Sequence, residues 1–110
     1  LLVNCSKDDD ADAAHPLVGS WKLIELEDNY KYTETLKFNS NKSGSKKYIE
    51  EHNGIETNER LFIWSTDVDV LTFIFGNGDF TDTDNMHYSI DGNKLTIKRY
   101  GSYDDVYTKI

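Results

Sequence analysis

From Leu17 onward the sequence consists of short runs of alternating apolar and polar residues, broken by turn-forming residues at roughly ten-residue intervals. That rhythm leaves no room for helices, because no stretch of ten or so residues carries an apolar stripe with a 3.6-residue period. It predicts strands near Gly19–Glu27, Tyr32–Asn39, Ser45–Glu51, Glu59–Ser65, Val70–Phe75, Met86–Ile90, Lys94–Tyr100 and Val106–Ile110. The separators are turn chemistry: Asp28-Asn29, Asn39–Gly44, His52-Asn53-Gly54, Asp67–Asp69, Gly76-Asn77-Gly78, Asp91-Gly92-Asn93 and Gly101-Ser102. Strands joined by such short links lie antiparallel. About eight of them in up-and-down order close into a small barrel, which removes the exposed sheet edges. The expected fold is therefore all-β, a single small antiparallel up-and-down barrel. One internal similarity fits hairpin construction. Trp64-Ser65-Thr66-Asp67 followed by Leu71-Thr72-Phe73 is echoed by Tyr88-Ser89-Ile90-Asp91 followed by Leu95-Thr96-Ile97, as two hairpins obeying the same turn chemistry would be.

Before Leu17 the pattern is different. Residues 6–16 hold Lys7 against Asp8, Asp9, Asp10 and Asp12, with no apolar period, and are expected to act as a solvated tether. The lone cysteine, Cys5, has no partner for a disulfide or a zinc pair. It follows Leu1-Leu2-Val3-Asn4, which is too short to span a membrane and reads as the tail of a signal peptide whose front has been left out. Leu2-Val3-Asn4-Cys5 resembles a bacterial lipobox, with Asn4 standing where a small residue is usual. Cys5-Ser6-Lys7-Asp8-Asp9-Asp10 resembles the export signal of surface lipoproteins of the Bacteroidetes kind. The resemblance implies acylation of Cys5, an export role for Ser6, Lys7, Asp8, Asp9 and Asp10, and an outer-membrane lipoprotein exposed at the cell surface. Residues 1–16 are thus signal remnant, lipidated cysteine and tether, and residues 17–110 the barrel domain.

The 110 residues suffice for one modest core, with 14 aromatic rings (7 Tyr, 5 Phe, 2 Trp) to fill it. A net charge of −8 argues against a nucleic-acid partner, since nothing neutralises a run of phosphates. Within the barrel, Leu17-Val18-Gly19-Ser20-Trp21-Lys22-Leu23 resembles the Gly-x-Trp opening of lipocalins and related calycins. Thr35–Ser40, Tyr88–Ile97 and Val106–Ile110 are similar, in order, to segments of small bacterial lipocalin-like domains. The resemblance implies that Trp21 closes one end of the barrel, with a late-strand base, Lys109 or Arg99, packed over it.

Alternation along strands assigns faces. Leu36 and Phe38 share a face with Glu34, Leu95 and Ile97 with Arg99, and Trp21 and Leu23 with Glu25. If the apolar members line the interior, Glu34, Arg99 and Glu25 point inward and need a partner or water. Arg99 then either grips a ligand carboxylate or pairs with Glu34. Trp21, Glu34, Leu36, Phe38, Leu95 and Arg99 are the candidate ligand-binding set, for a small ligand that is apolar or anionic. Phe62, Trp64, Phe73, Ile74 and Phe75 make both faces of two adjacent strands apolar, so either that sheet is covered on both sides, which is favoured, or a patch remains for a partner.

Asp79, Asp82, Asp84 and Asn85 supply oxygen ligands, but their order is not that of an EF-hand, and a solvated loop is expected. His15, His52 and His87 lack metal spacing and are expected at the surface; no metal or cofactor is anticipated. Adjacent carboxylates such as Glu50-Glu51 or Asp104-Asp105 diverge on a strand, and no nucleophile elbow occurs, so the chain is expected not to be an enzyme. Two functions remain: a lipid-anchored binding barrel, or a protein-interaction module with a filled barrel and a working outer surface.

Overall fold

The computed structural model describes residues 15–77, 80–98 and 103–110. These form a closed antiparallel barrel in strict up-and-down order: β1 (Gly19–Glu27), β2 (Tyr30–Phe38), β3 (Ser43–Glu51), β4 (Ile55–Asp67), β5 (Val70–Asn77), β6 (Phe80–Asp91), β7 (Lys94–Lys98) and β8 (Asp104–Lys109). Each strand pairs with its sequence neighbour. The ring is closed by β1 against β8 through Trp21↔Lys109 and Lys22↔Thr108. The architecture is consistent with a lipocalin-like fold.

The alternation that predicted strands also sorts the side chains. Trp21, Leu36, Phe38, Phe62, Trp64, Leu71, Phe73, Phe75, Leu95, Ile97 and Tyr107 point inward and are buried, while the residues between them along each strand face out. The core is concentrated at the end where β1 begins and β2 ends. Trp21, Trp64, Phe38, Leu36, Leu71 and Leu95 are all but completely buried there, and Leu17 seals them from outside. The Trp21 indole N–H donates to the Leu17 carbonyl at 2.9 Å, and the Lys109 ammonium lies 5.2 Å from the indole ring. His15, expected at the surface, is instead half-buried in this plug. Its ring meets Trp64 edge-on at 5.2 Å and is 3.2 Å from the Thr66 hydroxyl, so it packs as part of the core's cover.

Two strands run well beyond their sequence bounds. β4 begins at Ile55 rather than Glu59, and β6 at Phe80 rather than Met86. Thr81, Asp82, Thr83, Asp84 and Asn85, expected in a loop, pair with Gly76, Phe75, Ile74, Phe73 and Thr72. Backbone hydrogen bonds, not apolar side chains, hold these polar lengths in the ladder. Asp79 lies outside the described residues. The expectation that both faces of β4 and β5 are covered is also corrected. Phe62, Trp64, Phe73 and Phe75 point inward, whereas Leu61 and Ile63 on β4 and Ile74 on β5 stand exposed on the outer face.

The echoed hairpins share a turn. Val68-Asp69 links the partners Asp67 and Val70, as Gly92-Asn93 links Asp91 and Lys94. The first turn residue is left-handed in both, with φ 58° at Val68 and 62° at Gly92. Glycine takes that conformation freely. A β-branched residue is strained there by about 1–2 kcal/mol, part of which glycine's greater unfolded freedom offsets. Val68→Gly is therefore expected to stabilise the barrel by about 0.5–1 kcal/mol and raise its melting temperature by a few degrees. An unchanged or lower melting temperature would show that the valine is not strained.

Candidate functional site

The end of the barrel opposite the Trp21 plug is not filled. A cavity of about 240 Å³ opens there. Its floor is apolar: Leu23, Leu36, Phe73, Phe75, Met86 and Ile97. Its walls and rim are polar, with the carboxylates Glu25, Glu34, Asp84 and Asp105, the phenols Tyr30, Tyr32 and Tyr107, and Lys46. This division follows from the strands themselves. On β1 and β2 the inward row starts apolar at the plug and turns polar toward the mouth, as Trp21, Leu23, Glu25 and Phe38, Leu36, Glu34, Tyr32.

Glu34 is the buried charged residue of the site, 6% exposed. The Tyr32 hydroxyl donates to one of its oxygens at 2.6 Å, and the Tyr107 hydroxyl donates to the other. Tyr107 reaches it over β1 from β8, where it pairs with Leu95. Among the described residues no lysine or arginine forms an ion pair with Glu34. Burial, then the Glu34 charge and hydrogen bond, push the Tyr107 phenol far above its ordinary value of 10.0. Burial and the same carboxylate raise Tyr32 in the same direction. At the rim the rings of Tyr32 and Tyr48 stack at 5.9 Å, and the Tyr30 hydroxyl donates to Glu50 at 3.4 Å. On the far wall the Arg60 guanidinium lies 4.3 Å from the Phe75 ring and 3.4 Å from Asp82, covering that ring from solvent.

The raised phenols fix a pH dependence. Below pH 10 the tyrosines are protonated in both the folded and the unfolded chain, so their contribution to stability is complete. Above pH 10 the unfolded chain releases protons that the barrel retains, and stability falls with rising pH. Tyr107 alone accounts for about 1.4 kcal/mol per pH unit in that range. The urea midpoint is expected to drop above pH 10, with Tyr107 ionising only as the barrel unfolds, and Tyr107→Phe is expected to flatten the drop. Complete tyrosine ionisation at 295 nm in a still-folded chain would contradict this.

Of the candidate ligand-binding residues, the structure brings Glu34 and Leu36 to the cavity wall. Trp21, Phe38 and Leu95 have the expected inward face but sit in the packed plug, away from the cavity, because their rings and branches fill the narrow end. Glu25 is at the mouth, exposed. Cys5, Ser6, Lys7, Asp8, Asp9, Asp10 and Arg99 lie outside the described residues. The expected Glu34–Arg99 pairing therefore lies outside the described residues; among the described residues, Glu34 accepts from two phenols. Tyr32, Tyr107, Phe73, Phe75, Met86 and Asp84 line the cavity but were not among the candidate ligand-binding residues. The signal was present for Tyr107, which alternates with inward Lys109, and for Phe73 and Phe75. Of the expected surface histidines, His52 and His87 are exposed. Among the described residues no three His, Cys, Asp or Glu side chains are grouped to hold a metal ion.

No family model, curated protein or solved structure matches the chain.

Proposed function

We propose that the chain is a binding protein of lipocalin-like type, held at the outer membrane by a lipidated Cys5, whose barrel takes a small, partly apolar ligand at its open end. The observation that carries this reading is the two-part cavity: an apolar floor large enough for a small organic body, under a polar rim that orients one. A barrel that served only as a rigid scaffold would gain stability by filling that space, as it does at the Trp21 end. The lipobox-like Leu2-Val3-Asn4-Cys5 and the acidic Ser6-Lys7-Asp8-Asp9-Asp10 support the anchor and surface exposure. A second reading, an inhibitor or accessory module, is favoured by the exposed outer face of Leu61, Ile63 and Ile74, where Ile63 and Ile74 are cross-strand partners.

One experiment addresses both halves. Mass spectrometry of the protein extracted from its own host's membranes is expected to show acyl chains on Cys5 under denaturing conditions. Under native conditions it is expected to show a non-covalent small-molecule adduct, absent from a Leu23→Trp variant whose larger ring occupies the floor. Bare mass in the native spectra of both proteins would remove the binding reading and leave the interaction module. An unmodified Cys5 would remove the anchor.

A further inference from the structure

The hydrogen bonds inside the cavity have a direction. Tyr32 and Tyr107 each spend their single hydroxyl proton on Glu34. What those hydroxyls leave toward the cavity is lone pairs, and the carboxylate itself only accepts. The deepest polar group of the site is therefore an acceptor cluster with no donor of its own to offer. The lining around it has the same bias. Setting aside Asp105, which has an interaction of its own, Glu25, Glu34 and Asp84 face Lys46 as the described cation. The rings of Tyr30, Tyr32 and Phe73 complete the wall with π-faces that attract positive charge, while Arg60 already covers Phe75.

We propose that the ligand carries a cationic nitrogen: a primary amine on a short apolar body, its ammonium donating to Glu34 and the two phenol oxygens while the body rests on Leu36, Phe73 and Met86. An ammonium supplies three donors and the positive charge that Lys46 alone does not balance in the lining; a carboxylate supplies neither and meets Glu34 with like charge. This reverses the anionic ligand expected from Arg99, and it rests on the reading that the cavity holds a ligand at all.

Isothermal titration of the full chain with n-hexylamine, hexan-1-ol and hexanoate tests both. Hexylamine is expected to bind at least about tenfold tighter than hexanol, with hexanoate weakest, as charge-assisted hydrogen bonds require. Glu34→Gln keeps the shape, and is expected to cost hexylamine about tenfold while leaving hexanol within a factor of two or three. Should that variant fail to fold, the rim double variant Glu25→Gln/Asp84→Asn is expected to shrink the amine preference without moving hexanol. Equal binding of all three compounds, or preference for hexanoate, overturns the cationic ligand and leaves a binding barrel standing. Binding of none overturns both. An amine preference untouched in every variant overturns the assignment to these carboxylates.

Discussion

Trp21→Ala is expected to bring the barrel close to unfolding. The indole is completely buried, packs with Leu17 at the closed end, and donates to the Leu17 carbonyl. Removing a buried aromatic of this size costs about 3–5 kcal/mol through lost burial and the cavity left behind. The stranded Leu17 carbonyl adds about 1 kcal/mol, and the Lys109 stem loses the ring it covers. A domain of this size has about 5–10 kcal/mol in total, so most of it is gone. Urea unfolding followed by far-ultraviolet circular dichroism reads the change. A midpoint within experimental scatter of the parent would mean that Trp21 does not hold the closed end together.

Gly44→Ala is expected to be the next most damaging change, although it adds a single methyl group. Gly44 faces inward on β3, between Phe38 on β2 and Phe62 on β4. A Cβ built there lies 2.3 Å from the Lys37 carbonyl oxygen and 2.4 Å from the Phe62 ring. The ring can turn; the carbonyl belongs to the backbone of the paired strand and can retreat only by distorting the ladder. Overpacking of this kind costs about 1–3 kcal/mol, and a backbone obstacle puts it at the upper end. The double variant Gly44→Ala/Phe62→Leu separates the two contacts. Partial recovery of the melting temperature is expected, since the carbonyl clash remains. Full recovery would show that the ring alone was at fault.

Alternation and turn residues made the eight strands and their order legible, because both are local properties of the chain. The same alternation placed Glu34 inside, between Leu36 and Tyr32, and it is buried there. What alternation does not carry is height along the barrel. Trp21, Phe38 and Leu95 have the right face and the wrong level, since level depends on how far each strand is staggered against its neighbours, a quantity no single strand encodes. The polar starts of β4 and β6 were missed for a related reason. Asn58, Asp82, Asp84 and Asn85 are poor strand formers and break the apolar alternation, yet these lengths extend existing hairpins, where the partner strand supplies the hydrogen bonds. The partner of Glu34 was out of reach because Tyr107 lies far along the chain and only the closed ring brings it near.

The closure of that ring governs how the chain folds. Every ladder but one joins consecutive strands across a short turn, and such hairpins form in about 1–10 μs. The exception is the contact of β1 with β8, where two residue pairs must bring together almost the full length of the barrel sequence. Its entropic cost falls due late and is met by few hydrogen bonds, so the search for this contact is expected to set the folding rate. Trp21 and Lys109 are themselves one of the two pairs, and the ring that plugs the core is therefore also the latch. Truncating it is expected to slow refolding, whereas relieving Val68, at a hairpin tip distant from the seam in sequence, is expected to act on the rate of unfolding, which stopped-flow measurements on both variants would separate.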